Sequence, residues 1–259
     1  MKIALVFCGQ PRACRESFDY FDRNLLQHED VDVFGAFWRA PQKPDFGDWT
    51  FDDLRMVDPA PYAAERAALL ERYTHEHSIF HPSENVIAMF QGFALCNKFE
   101  FDEYDVVIRA RTDYALNRRF DFEALDMNQL HIPNDGKAVV TLTQNDQFGF
   151  SKPEVMRVYF NSLDSLPSFI AENRVLVAEA VLDYHMLRNG FDASDVQTHD
   201  MNLPFAPKGM DKAYHSLIRT DYHDWRGVDI SNPKRGKLRR SIAKRVAKLR
   251  QVLVWEKPR

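Results

Sequence analysis

The chain is expected to fold as an α/β protein with a Rossmann-like, mainly parallel central sheet flanked by helices. Short apolar runs of strand length alternate with segments of helical period, which is the pattern of a sheet covered on its faces by helices. The first apolar run passes through a glycine turn into a helix, and a later helix leads directly into the strand-like "YDVVIRA".

"KIALVFCGQPR" is a continuous apolar strand followed by a turn, and in "RESFDYFDRNLLQ" the residues Phe18, Phe21 and Leu25 recur at helical spacing. "VDVFGAFW" reads as a second strand, and the Pro, Gly and Asp content of "RAPQKPDFGDWTFDD" reads as a loop. "AAERAALLERY" is a helix of high intrinsic propensity. Ser83 is placed as the N-cap of a helix through "ENVIAMFQGFALCNKFE", which leads into "YDVVIRA". "QLHIP" and "AVVTLT" are expected strands. "KPEVMRVYFNSL" and "VAEAVLDYHMLRNG" are expected helices, the second stopping at Gly190, which accepts the left-handed turn at a helix C-terminus.

With 45% hydrophobic residues and 20 Phe among 259, the chain offsets its ordering entropy by burial and is not a disordered segment. Cys8, Cys14 and Cys96 are odd in number and lack zinc-type spacing, so neither a disulfide framework nor a cysteine metal site is expected, and a cytoplasmic, reducing compartment fits. "MKIALVF" reads as a strand and not as a signal peptide, and no run of transmembrane length occurs. The net charge of −4 conceals an asymmetry: residues 234–259 hold 11 basic residues and one acid, leaving 23 basic and 37 acidic residues before them. The composition shifts near "SNPKRGK", dividing a body of residues 1–232 from a basic tail of residues 233–259.

In "YDVVIRARTD" a period of two puts Val107, Arg109, Arg111 and Asp113 on one face and Val106, Ile108, Ala110 and Thr112 on the other. Charge at the end of an apolar run has two readings: a ligand site, or an Arg–Asp pair closing the sheet. Ligands of open α/β sheets bind outside the carboxyl ends of the strands, where "CGQPR" and "RARTD" both fall. Gly9 permits close backbone approach, Arg12 offers a planar fork for phosphate, and Asp113 offers an oxygen ligand for Mg²⁺ or Mn²⁺. Together they suit a nucleotide diphosphate, with Gln10 lining the same turn. "GQPR" is neither a Walker A loop nor a dinucleotide fingerprint. The cluster His75, His77 and His81 lacks metal-ligand spacing and reads as a polar helix end.

"KIALVFCGQPR", "YDVVIRARTDYAL", "NDQFGFSKPEVMRVY" and "AEAVLDYHMLRNGF", in that order, resemble bacterial GT-A-type glycosyltransferases of capsule and lipopolysaccharide gene clusters, in the wider group of WavE-like proteins. The likeness covers roughly residues 1–200. It implies a GT-A-like fold, a nucleotide-sugar donor, a glycan or lipid-linked acceptor, and a strand-end aspartate in place of an Asp-x-Asp metal site. Here Arg111 stands where the first aspartate would be, leaving Asp113 as the expected metal ligand, and Arg109 or Arg111 to neutralise leaving-group charge. Asp146, in "TQNDQFGFS", becomes a candidate base or sugar-hydroxyl acceptor, with an Asx turn as the bland alternative. Glu179 becomes a candidate on the acceptor side, or a solvated helical residue. His199 and Asp200, taken to follow the last strand, would close the metal or diphosphate site, unless the histidine is structural.

In the tail, Leu238, Ile242, Val246, Leu249 and Leu253 form a helical stripe with Arg239, Arg240, Lys244 and Lys248 mostly away from it. This is the pattern of an interfacial amphipathic helix, with Trp255 at the headgroup level, on the inner face of an anionic membrane. A helix docked on the acidic body is the alternative, and the absence of interleaved stacking aromatics argues against nucleic acid. A sulfotransferase, or a non-catalytic adaptor with a degenerate transferase fold, are the competing functions.

Overall fold

The apolar run at the N-terminus becomes β1 (Lys2–Gly9), the centre of the sheet. The computed structural model describes residues 1–40, 43–73, 83–134, 146–172, 174 and 176–200. After β1 come α1 (Cys14–Phe21), which runs on into a π-helical turn at Asp22–Leu26, then β2 (Asp30–Trp38), β3 (Asp53–Val57), α2 (Ala60–Glu71) and α3 (Ser83–Cys96). β4 (Val106–Ala110), β5 (Leu130–Asn134), β6 (Phe148–Ser151), α4 (Pro153–Phe160), α5 (Leu166–Ala171), α6 (Ala178–Arg188) and β7 (Val196–Asp200) follow.

The strands form one seven-stranded sheet in the order β3-β2-β1-β4-β6-β5-β7. β1 pairs in parallel with β2, from Lys2 opposite Asp30 to Gly9 opposite Phe37, and with β4, from Ile3 opposite Val106 to Phe7 opposite Ala110. β2–β3 and β5–β7 are also parallel, and β6 runs antiparallel to both its neighbours. The expected α/β class and mainly parallel sheet are thus observed.

Strand alternation splits the core in two. Ala4, Val6 and Cys8 join Phe90 and Phe93 of α3, Tyr159 of α4 and Leu182 of α6 on one face. Ile3, Leu5 and Phe7 join Phe21, Trp49, Tyr114 and Phe148 on the other. α6 stops where the sequence places its end: Gly190 has φ 87°, its N–H donates to the Leu187 carbonyl (3.1 Å), and the Phe191 N–H donates to the Met186 carbonyl (3.0 Å). That pair of bonds is a Schellman cap.

Three strands escape the sequence reading. β3 follows the segment read as a loop, and its polarity is that of a sheet edge: Leu54 is 41% exposed, and Arg55 pairs with Asp53 while lying over the Phe99 ring. The loop before it packs inward, with Trp49 Nε1 donating to the Cys14 carbonyl at 2.8 Å. β6 is the "FGFS" that the reading treats as a site loop, and β7 contains His199 instead of preceding it. The expected strand "AVVTLT", the histidines at 75, 77 and 81, and the tail from residue 233 lie outside the described residues.

Within β5 and β7, His131 and His199 are both buried and stacked near Phe150. His131 Nε2 donates to the Asp126 carbonyl at 2.9 Å, so its Nδ1 is the acceptor that receives the His199 Nε2–H at 2.9 Å. Burial pushes both imidazoles below their usual range, His199 to about 4 with help from the neighbouring His131 ring and Arg118. A depressed folded value means that the unfolded chain takes up protons first as the pH falls. Stability is therefore full above the ordinary histidine value near 6.5 and is lost as pH drops from there towards about 4. Denaturant unfolding between neutral pH and pH about 4 is expected to show this loss, and His131→Phe/His199→Phe to flatten it relative to the native chain.

Candidate active site

The sheet reverses its order at β1: β2 and β3 extend to one side of it, and β4 lies on the other. A crevice therefore opens at the carboxyl ends of β1 and β4, the position where such sheets accept ligands. The turn after β1 begins with Gly9 at φ 93°. α3 approaches it backbone to backbone, since a Cβ on Gly92 would lie 3.2 Å from the Gly9 Cα. Ala13, at φ 45° and ψ 34°, supplies no side-chain cap to α1, so the first amides of that helix face the turn without one. Between them, the Arg12 N–H donates to Thr112 Oγ1 at 2.9 Å, and Arg12 Nη2 donates to Gln10 Oε1 at 2.7 Å. One hydrogen bond thus joins the β1 turn to the segment after β4.

That segment is a turn and not a continuation of the strand. β4 ends at Ala110, and the Tyr114 N–H donates to the Arg111 carbonyl at 3.0 Å. Strand alternation holds for Val107 and Arg109 but no longer assigns the faces of Arg111, Thr112 and Asp113. The turn itself brings the charges together: Arg111 Nε and Nη2 donate to the two carboxylate oxygens of Asp113, each at 2.8 Å. Asp113 is 2% exposed. Arg111 Nη1 also lies 3.9 Å from Asp146 Oδ2, so one guanidinium serves two carboxylates. The Arg111 N–H donates to the Gln147 carbonyl at 2.9 Å, fixing the approach to β6.

Arg109 sits below this cluster, inside the core. It lies over the Phe93 ring at 4.1 Å from its centroid, and its Nη1 donates to the Asp146 carbonyl. Its Nε has no hydrogen-bond partner among the described residues. The thiol of Cys8 is drawn down to about 6 by its hydrogen bond with Cys96 and by the Arg109 guanidinium. Arg109, a candidate to neutralise leaving-group charge, is 2% exposed and holds the backbone of Asp146. Asp146 is half-buried.

Glu179 and His199 remain. Glu179 is half-buried in the first turn of α6, in the helical layer. His199 is three strands from β4, about 14 Å by strand spacing, so it cannot share an ion with Asp113. Its Nε2–H is committed to His131, the structural alternative for this residue. Among the described residues no cluster of three or more His, Cys, Asp or Glu is grouped to hold a metal. Among the described residues the donor set therefore fits a divalent cation poorly, because the Arg111 guanidinium already stands between the Asp113 and Asp146 carboxylates. Two contributors escape the sequence reading. Thr112 bridges the turns, and its only signal is adjacency to Asp113. Gly92 is a glycine in mid-helix, a breach of propensity that marks close backbone packing.

Arg111→Ala is expected to leave the buried Asp113 carboxylate without its counter-charge. The loss in urea unfolding is about 2–4 kcal/mol, below the range for a fully buried pair because Arg111 keeps some contact with water. The double variant Arg111→Met/Asp113→Asn recovers most of it. No family model matches the chain, and no curated protein matches it either.

Proposed function

We propose that the chain is a nucleotide-sugar-dependent glycosyltransferase of GT-A-like architecture, acting on a glycan or lipid-linked acceptor in the synthesis of capsule or lipopolysaccharide. The observation that carries this reading is the bridge between the two strand-end turns, the Arg12 N–H on Thr112 Oγ1 at 2.9 Å. It gathers Arg12, the uncapped amides of α1, Arg111 and Asp113 at the reversal of a mainly parallel sheet. Backbone amides at a helix start and a planar guanidinium are the groups that a diphosphate needs.

In the proposed transfer, the bond from the anomeric carbon to the diphosphate oxygen breaks and its electron pair leaves with the phosphate. Arg12 and Arg111 offset the charge that develops there. The acceptor hydroxyl oxygen bonds to the anomeric carbon, and its proton passes to a carboxylate. Asp146 is the candidate, because the Arg111 guanidinium keeps it oriented and Arg109 holds its carbonyl. Glu179 is left to the acceptor side. No step is routed through a metal, since the donor set does not suit one. Among the described residues no helix is long and apolar enough to cross a membrane. Contact with the inner membrane face would fall to residues 233–259.

One observation favours a second reading, a non-catalytic adaptor: each oxygen of Asp113 already accepts a hydrogen bond from Arg111. Thermal shift with a panel of nucleoside diphosphates, with and without Mn²⁺, separates the two. The transferase reading expects at least one nucleotide to stabilise the chain and Arg12→Ala to weaken it about tenfold or more, the loss of a charged hydrogen bond. Absence of any nucleotide response at millimolar concentration leaves the adaptor. A response confined to the sulfonate donor 3′-phosphoadenosine 5′-phosphosulfate would instead indicate sulfate transfer.

A further inference from the structure

A polar cavity of about 310 Å³ opens between α4, the turn that follows it and α6. It lies away from the crevice. Asn161 Oδ1 accepts from Asn97 Nδ2 at 2.5 Å, and Asn97 follows α3 at the end that leads towards the amino end of β4. The cavity thus belongs to the amino edge of the sheet, opposite Gly9 and Asp113.

Its floor is fixed by a buried histidine. His185 Nε2 donates to the Val158 carbonyl at 2.8 Å, which leaves Nδ1 as an acceptor, so the Ser165 hydroxyl donates to it at 2.8 Å. Burial pushes the His185 imidazole below its usual range and keeps it neutral at pH 7. Above this floor stand four solvent-exposed side chains, Asn161, Asp164, Arg188 and Asn189. Asn161 uses its Oδ1 on Asn97 and keeps its amide donors. Asn189 donates to the His185 carbonyl at 2.8 Å and keeps its Oδ1 as an acceptor. Arg188 Nη1 donates to Tyr184 Oη at 2.8 Å and lies 3.9 Å from Glu172 Oε1, and its other N–H groups make no hydrogen bond among the described residues. The Asp164 carboxylate makes none among them either.

These groups select a class of ligand. A phosphate or carboxylate brings acceptors alone and meets Asp164. A metal ion or amine finds a single carboxylate beside the positive charge of Arg188. An apolar molecule meets a wall in which seven of eight lining residues are polar. Hydroxyl groups on adjacent carbons both donate and accept, and planar carboxylate, amide and guanidinium groups bind them in pairs. The volume stands at the lower end of the ~300–1,000 Å³ range of small-molecule sites. We propose that this cavity binds a neutral sugar unit of a glycan, at a site distinct from the carboxyl-edge crevice. No aromatic side chain lines it, so stacking adds nothing and the affinity for a monosaccharide is expected in the millimolar range.

The inference stands independently of the proposed transfer reaction. The test is a titration of the full chain with glucose, galactose, mannose and, separately, inorganic phosphate, read on the side-chain amide resonances of Asn161 and Asn189. At least one sugar is expected to give saturable shifts and phosphate none. Asp164→Ala and Arg188→Ala, both at exposed positions, are each expected to weaken that binding about tenfold, while Arg12→Ala leaves it unchanged. Nucleotide titration of the same samples reads the carboxyl-edge crevice separately, so either site can fail alone. No saturable shift with any of the three sugars, a stronger response to phosphate, or unchanged affinity in both cavity variants would overturn the proposal.

Discussion

β1 is hydrogen-bonded along both edges and covered on both faces, and the rest of the molecule is arranged around that constraint. Ile3, Ala4, Leu5, Val6 and Phe7 are at most 1% exposed. Burying each large member stabilises the fold by about 1.5–3 kcal/mol, and a charge anywhere in this run would find no water. Polar chemistry is therefore pushed to the strand's ends. Because β2 and β4 leave β1 in opposite directions, its carboxyl end is where the sheet parts and where a ligand can reach backbone.

Arg109 is the exception to that rule, a cation paired in register with Val6 at the centre of the sheet. No carboxylate balances it at ion-pair distance among the described residues. Its compensation comes from the face of Phe93 and the carbonyl of Asp146. Such a residue links core to crevice mechanically. The loop that carries Asp146 enters β6 under the hold of Arg109 from inside and of the Arg111 backbone from above.

What could be read from sequence follows from how local each signal is. β1, β2, β4, α2 and α6 carry their pattern within themselves, down to the glycine that ends α6. β3, β6 and β7 are short and owe their state to neighbours: β6 has four residues and is a strand because β4 and β5 flank it. The meeting of the two strand-end turns was legible, because the position of strand ends follows from the order of elements. Its geometry was not. Arg111 and Asp113 meet through a turn that begins one residue after Ala110, where strand period stops applying. His199 gave the opposite lesson, since its partner His131 lies 68 residues away and only the β5–β7 pairing brings the rings together.

Arginine in place of an aspartate changes the sign of that position, and this bears on how the proposed reaction would be driven. Two carboxylates at a strand end repel each other and call for a divalent cation between them. Here the guanidinium of Arg111 already stands between Asp113 and Asp146, with two contacts of 2.8 Å on one and 3.9 Å to the other. With Arg12, the charges of these four side chains sum to zero before any ligand arrives. A diphosphate would then enter a neutral, partly buried site and be held by hydrogen-bond geometry more than by net attraction. The helix amides and the two guanidinium forks would bear most of that task, and Asp113 would act by fixing Arg111 in place.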